Sequence, residues 1–151
     1  MKINILDLED LNFVQIQPVQ NNAPFNKLCQ DSKYLESPVF SIFKNCFELS
    51  NPDFEYYSTN YFISSQVVAL RNHLLTHLTR IQGIQHAEDL QTFVLHQISG
   101  IEFMNELKTL YKDWQIFWEV IRDKLVVINR ELIALADMCI DEEKNIYVRG
   151  Y

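Results

Sequence analysis

Glycine is scarce, with 3 residues in a chain of 151, against a usual share of ~7%. That disfavours folds built on many tight turns and leaves no glycine-rich phosphate loop. Basic residues are also in deficit: 13 Lys and Arg face 20 Asp and Glu, a formal charge of −7. A chain of that balance lacks the clustered cations that phosphate contacts need, so nucleic acid is an unsuitable partner. Cysteines number only three, Cys29, Cys46 and Cys139. Their spacing fits no zinc motif, and each has an apolar neighbour, so free thiols filling a core are expected. The unbroken aliphatic runs are short, such as Leu125 to Ile128. No stretch approaches the ~20 apolar residues of a membrane span, and the N-terminus lacks the apolar core of a signal peptide. A cytoplasmic protein without membrane contact is the expectation.

Hydrophobic residues make up 48% of the chain, which is ample for one buried core. Three of the four prolines lie at positions 18, 24 and 38. They divide the chain into an irregular N-terminal third (1–60) and a helical remainder (64–140). Alternation predicts short strands at residues 2–6 and 11–17, and the polar stretch 20–36 reads as a long loop. Ser37-Pro38 marks a helix start that continues through Phe40, Phe43 and Phe47 to Asn51-Pro52. A second helix runs from Ser64 to Gly83, the glycine acting as a left-handed cap. Its stripe is Val67, Leu70, Leu74, Leu78 and Ile81. A third helix opens on Glu88 and Asp89, and Ser99-Gly100 kinks or splits it. The fourth carries two stripes. Trp114, Phe117, Ile121, Leu125, Ile128, Leu132, Leu135 and Cys139 form one, and Val120, Val127 and Ala134 form another. One neighbour cannot cover both, so this helix belongs at the centre of a bundle or against a partner chain. The tail from Asn145 alternates again and is expected to pair with the strand at 2–6. Together these signals predict a mainly α, single-domain bundle of four or five helices with a short strand pair formed by the termini.

Five of the nine residues from Phe54 to Phe62 are aromatic. Tyrosine and tryptophan offer broad contact area with a polar tip, which suits protein interfaces. Asp53, Glu55, Tyr56, Tyr57, Tyr61 and Trp118 are the interface candidates, with Phe54, Phe62 and Trp114 assigned to the core. His73 and His77 share a helix face at a spacing of four, half of a zinc site. Arg80 on the same flank opposes a cation there. Glu102 and Glu106 read as exposed acids without the Glu-x-x-His partners of di-metal bundles. No acid occurs between Glu55 and Glu88, leaving a local patch with Arg71 and Arg80 for acidic neighbours to neutralise.

No nucleophile elbow, Walker loop or CxxC pair occurs. The pattern points to a small protein-binding module without a cofactor, recognising a partner with a basic surface. In size, acidity and lack of catalytic motifs it is similar in character to bacterial toxin-immunity proteins and secretion chaperones. No motif ties it to either. A metal-dependent helical enzyme using His73 and His77 is the alternative, and a homodimeric structural protein is a second.

Overall fold

The computed structural model describes residues 1–3, 5, 12–27, 29 and 31–150. The chain runs β1 (Phe13–Val19), β2 (Lys33–Glu36), α1 (Ser37–Ser50), β3 (Thr59–Phe62) and α2 (Ser64–Gln82). It continues through α3 (Ala87–Leu95), α4 (Gly100–Leu110), a 3-10 turn (Trp114–Phe117), α5 (Trp118–Asp141) and β4 (Asn145–Gly150). The strands form one antiparallel sheet in the order β2-β1-β4-β3. Among the described residues there are therefore five α-helices, but the architecture is a helical layer on a four-stranded sheet rather than a pure bundle.

The tail does form a strand, and its partners differ from the expected one. Residues Val14 to Val19 of β1 pair with Gly150 to Asn145, and β3 flanks β4 on the other side. Lys2, Ile3 and Ile5 lie outside any strand, and the other two positions of that expected strand fall outside the described residues. Alternation identifies a strand but not its neighbour, and both N-terminal segments alternate. The stretch 20–36 is shorter as a loop than expected, because Lys33–Glu36 adds to the free edge of β1.

Successive residues of a strand face opposite sides. One face of the sheet presents Val14, Ile16, Leu35, Phe62, Ile146 and Val148 to the helices, all of them buried. The other carries Gln15, Gln17, Tyr34 and Tyr147, on the side of Asn26, Lys27 and Ser32. Gln15 donates from Nε2 to Ser32 Oγ at 2.8 Å, and Gln17 Oε1 accepts the Asn26 N–H at 3.0 Å. Two glutamines on what looks like a solvent face are thereby buried. Their amides are satisfied by these bonds, as burial of polar groups requires.

Ser37 opens α1, with Pro38 in its first turn. The serine does not cap; its hydroxyl donates to the Asn12 carbonyl at 2.8 Å and fastens the helix start to the β1 entry. Gly83 follows α2 with φ −77°, so the left-handed cap expected there is absent. A left-handed residue, Ser99 with φ 66°, separates α3 from α4. The helices α2 and α5 run antiparallel, joined by Arg71 Nε to Asp137 Oδ1 at 2.8 Å and by contact between His77 and Asn129. That ion pair supplies an acidic neighbour to the acid-free stretch. The first stripe of α5 buries Ile121, Leu125, Ile128, Leu132 and Cys139. Phe117 is exposed, because the 3-10 turn shifts the phase of residues 114–117 relative to the helix. The second stripe, Val120, Val127 and Ala134, is exposed as well. Within one chain, α5 is therefore a flank of the helical layer rather than its centre.

Cys46 and Cys139 are buried and free, and Cys29 is free and half-buried. Burial pushes the Cys46 thiol up to about 12 and the Cys139 thiol up to about 11, which makes both unreactive. No helix among the described residues is long and apolar enough to cross a membrane.

Candidate functional site

The aromatic segment is held by one asparagine. Asn60 Oδ1 accepts the Glu55 N–H at 2.7 Å, and its Nδ2 donates to the Glu55 carbonyl at 2.7 Å. The same amide reaches the Ser58 carbonyl at 3.0 Å and the Val148 carbonyl at 3.3 Å. A turn closed this way fixes the direction in which Tyr56 and Tyr57 leave the backbone. Their rings meet edge to face at 4.9 Å. The inner ring, Tyr56, leans on Phe40 at 6.1 Å, with Lys44 Nζ 5.8 Å from its centroid. The outer ring, Tyr57, is 85% exposed.

The pair forms one wall of a groove of about 740 Å³ between α1 and α4. Ser37, Ser41 and Lys44 of α1 line one side, and Glu102, Asn105 and Glu106 of α4 line the other. Glu102 and Glu106 are one helical turn apart and exposed, so both carboxylates share a face of α4. Lys44 is engaged by Glu48 at 3.3 Å on its own helix. Burial raises the Tyr56 hydroxyl above its ordinary range; the Ser37 hydroxyl pulls it down, while Tyr57 and Glu102 push it further up. Tyr56 is thus a neutral hydroxyl donor at any physiological pH. The lining offers hydroxyls, amides, carboxylates and the Lys44 ammonium, and among the described residues no histidine or cysteine.

The remaining interface candidates lie elsewhere. Asp53 and Glu55 are exposed on the same turn but do not line the groove. Tyr61 faces the other side of the sheet, packed on Tyr147 at 4.8 Å with its hydroxyl accepting from Asn145 Nδ2 at 2.7 Å. Trp118 is half-buried under the Arg122 guanidinium at 5.1 Å. Of the expected core aromatics, Phe62 and Trp114 are buried and Phe54 is half-buried against Phe47 and Phe62. Tyr56 and Tyr57 are the two candidates that the fold brings together. Glu102 and Glu106 join them from a distant helix, which residue spacing does not reveal.

His73 and His77 have different surroundings. His73 is half-buried, whereas His77 is 6% exposed between Phe43 at 5.3 Å and Phe93 at 5.2 Å. Asn129 Nδ2 lies 2.9 Å from its Nδ1. Neither His77 Nε2 nor Asn129 Oδ1 has a hydrogen-bond partner among the described residues. Among those residues no three His, Cys, Asp or Glu side chains converge as a metal site would require.

Gly150 backs the tyrosine pair. Its N–H donates to the Tyr56 carbonyl at 3.2 Å. A methyl group on it would fall 2.6 Å from that carbonyl oxygen and 2.9 Å from ring atom Cε1. Gly150→Ala is therefore expected to cost about 1–3 kcal/mol, the range for overpacking. The Tyr56 ring resonances should shift with it. Urea unfolding and a proton spectrum of the aromatic region check both; an unshifted Tyr56 would show that the backing is not tight.

No protein-family model matches the chain, and neither does any curated protein or solved structure.

Proposed function

We propose that the protein is a binding module that takes a basic segment of another protein into the groove between α1 and α4. One observation carries the proposal: a packed tyrosine pair and two carboxylates on a neighbouring helix line the same open groove. An arginine or lysine side chain entering there meets Glu102 as counter-ion, with Glu106, 3.9 Å from the Met1 amino group, beside it, and the faces of Tyr56 and Tyr57 as cation–π surface. The wall is preorganised by Asn60 and Gly150, so little ordering cost remains for binding. Net charge of −7 draws a basic partner from a distance, while the groove gives it a place to dock. The module acts by covering the partner's basic surface.

The test separates the groove from bulk charge. An arginine-rich nonapeptide is titrated against the protein at low and moderate salt. Glu102→Gln/Glu106→Gln should weaken binding at least about tenfold, as expected when charge-assisted contacts are lost. Glu142→Gln/Glu143→Gln changes net charge equally, outside the groove, and should weaken it by less than about twofold. Equal losses from the two pairs would overturn the site.

A further inference from the structure

Val120, Val127 and Ala134 recur every seven residues on the exposed side of α5. Val120 is 53% exposed and Val127 52%, and Ile116, just upstream, is 75% exposed. Single exposed apolar residues are ordinary and name no partner. The charges beside this stripe do. At about 100° per residue, Asp123 and Arg130 fall roughly 40–60° to one side of Val127. Lys124 and Glu131 fall at about the same angles to the other side. Each flank thus carries one acid and one base, seven residues apart.

A two-fold axis level with Val127 and perpendicular to the helix places a second α5 antiparallel against the first. Like flanks then meet with the residue order reversed. Lys124 comes beside the partner subunit's Glu131, and Asp123 beside the partner subunit's Arg130, each pair occurring twice. Val127 meets its own counterpart, and Val120 meets the partner subunit's Ala134. We propose that the protein forms an antiparallel homodimer through this face of α5.

Three observations support a second copy as the occupant. The four flanking charges cancel on a chain whose net charge is −7, so this face escapes the repulsion between two such molecules. Lys124, Arg130 and Glu131 are exposed, and among the described residues none of them makes an ion pair. Asp123 is held by Arg122 next to it, at 2.8 Å. The pattern is also self-complementary, the condition that a two-fold interface imposes and that an unrelated partner does not. Antiparallel packing additionally opposes the two helix dipoles favourably.

Sedimentation equilibrium of the full chain over about three decades of concentration tests the proposal. A mass approaching twice 17.9 kDa is expected at the upper end. Val127→Arg should weaken association by about a hundredfold, through a buried charge without a partner. Lys124→Glu and Glu131→Lys, each alone, should weaken it about tenfold by juxtaposing like charges. Combined in one chain, they should restore it to within about twofold. In a parallel dimer, Lys124 lies beside the partner subunit's Asp123 and Glu131 beside the partner subunit's Arg130, so the combined variant would be the weakest of all. That result overturns the antiparallel geometry. A mass of 17.9 kDa at every concentration, or a dimer that survives Val127→Arg, overturns the interface. The charge variants are on the exposed surface and remain informative if Val127→Arg fails to fold.

Discussion

Replacing Gly100 with alanine is expected to cost about 3 kcal/mol of stability or more. Local preference argues for the opposite sign. The residue opens α4 with an ordinary negative φ, and alanine is favoured over glycine inside helices by about 1 kcal/mol. Space decides the matter. A Cβ on Gly100 would stand 1.8 Å from the Val94 carbonyl oxygen and 2.8 Å from the carbonyl carbon. Both are backbone atoms at the end of α3, so no rotamer change relieves the clash. The α3–α4 corner must open, and with it the packing of Val94 and Phe103, both fully buried. Gly83 is the internal control. Its added Cβ would meet the Arg80 and Thr79 carbonyl oxygens at 3.5 Å, ordinary contact distances. Gly83→Ala should therefore be neutral or stabilise by up to about 1 kcal/mol, through a less free unfolded chain. Urea unfolding of the two variants gives the contrast directly. A Gly100→Ala protein as stable as the parent would mean that the corner is looser than its geometry.

Acid should weaken the fold through a single imidazole. Burial is the main reason that His77 is pulled from 6.5 down to about 4, and the positive charge of Arg80 adds to it. The Ile42 carbonyl and the Gln97 side chain pull the other way without completing a hydrogen bond to Nε2. The folded-state value is depressed, so the unfolded chain takes up the proton first. Stability is present in full above about pH 6.5 and is lost as pH falls from there toward 4. At 1.36 kcal/mol per pKa unit the loss is about 2 kcal/mol between pH 7 and 5, and about 3 kcal/mol by pH 4. Unfolding midpoints across that range measure it. His77→Leu/Asn129→Leu removes the titrating ring together with its amide partner. Deleting both members of a buried polar pair is often close to neutral, so this variant should match the parent at pH 7. Between pH 6.5 and 5 its stability should stay flat, where the parent's falls. Asn129→Leu alone strips His77 of its one bond and should cost about 1–3 kcal/mol at pH 7. A parent whose stability is level from pH 7 to 5 would show that His77 reaches water.

The helices were legible because their stripes are long. Nineteen residues of α2 and the inner face of α5 repeat at helical spacing often enough to override chance. The sheet was legible only in part. β1 and β4 alternate visibly, but β2 and β3 have four residues each and lie in polar or aromatic surroundings. Which strand meets which is a tertiary fact, so β4 pairs with Val14–Val19 rather than with the earlier alternating segment. Gln15 and Gln17 show the same limit, since their polarity suggests a wet face, whereas both are buried and bonded to Ser32 and Asn26. At the groove, the aromatic density of residues 54–62 pointed to Tyr56 and Tyr57. It did not separate them from Tyr61, which a strand directs to the opposite face. Glu102 and Glu106 gain their meaning from standing across from α1, some 60 residues away in sequence.

The order of the sheet, β2-β1-β4-β3, also sets a timetable. Its inner strand β4 emerges from the ribosome about 125 residues after β1, the strand beside it. At 5–20 residues per second the wait is on the order of 6–25 s. Until then, the helix-facing residues Val14, Ile16, Leu35 and Phe62 belong to a sheet that lacks its inner strand. Such long-range closure slows folding, because loop entropy is lost before the contacts repay it. Ribosome-bound chains stopped before Asn145 should therefore remain protease-sensitive throughout β1.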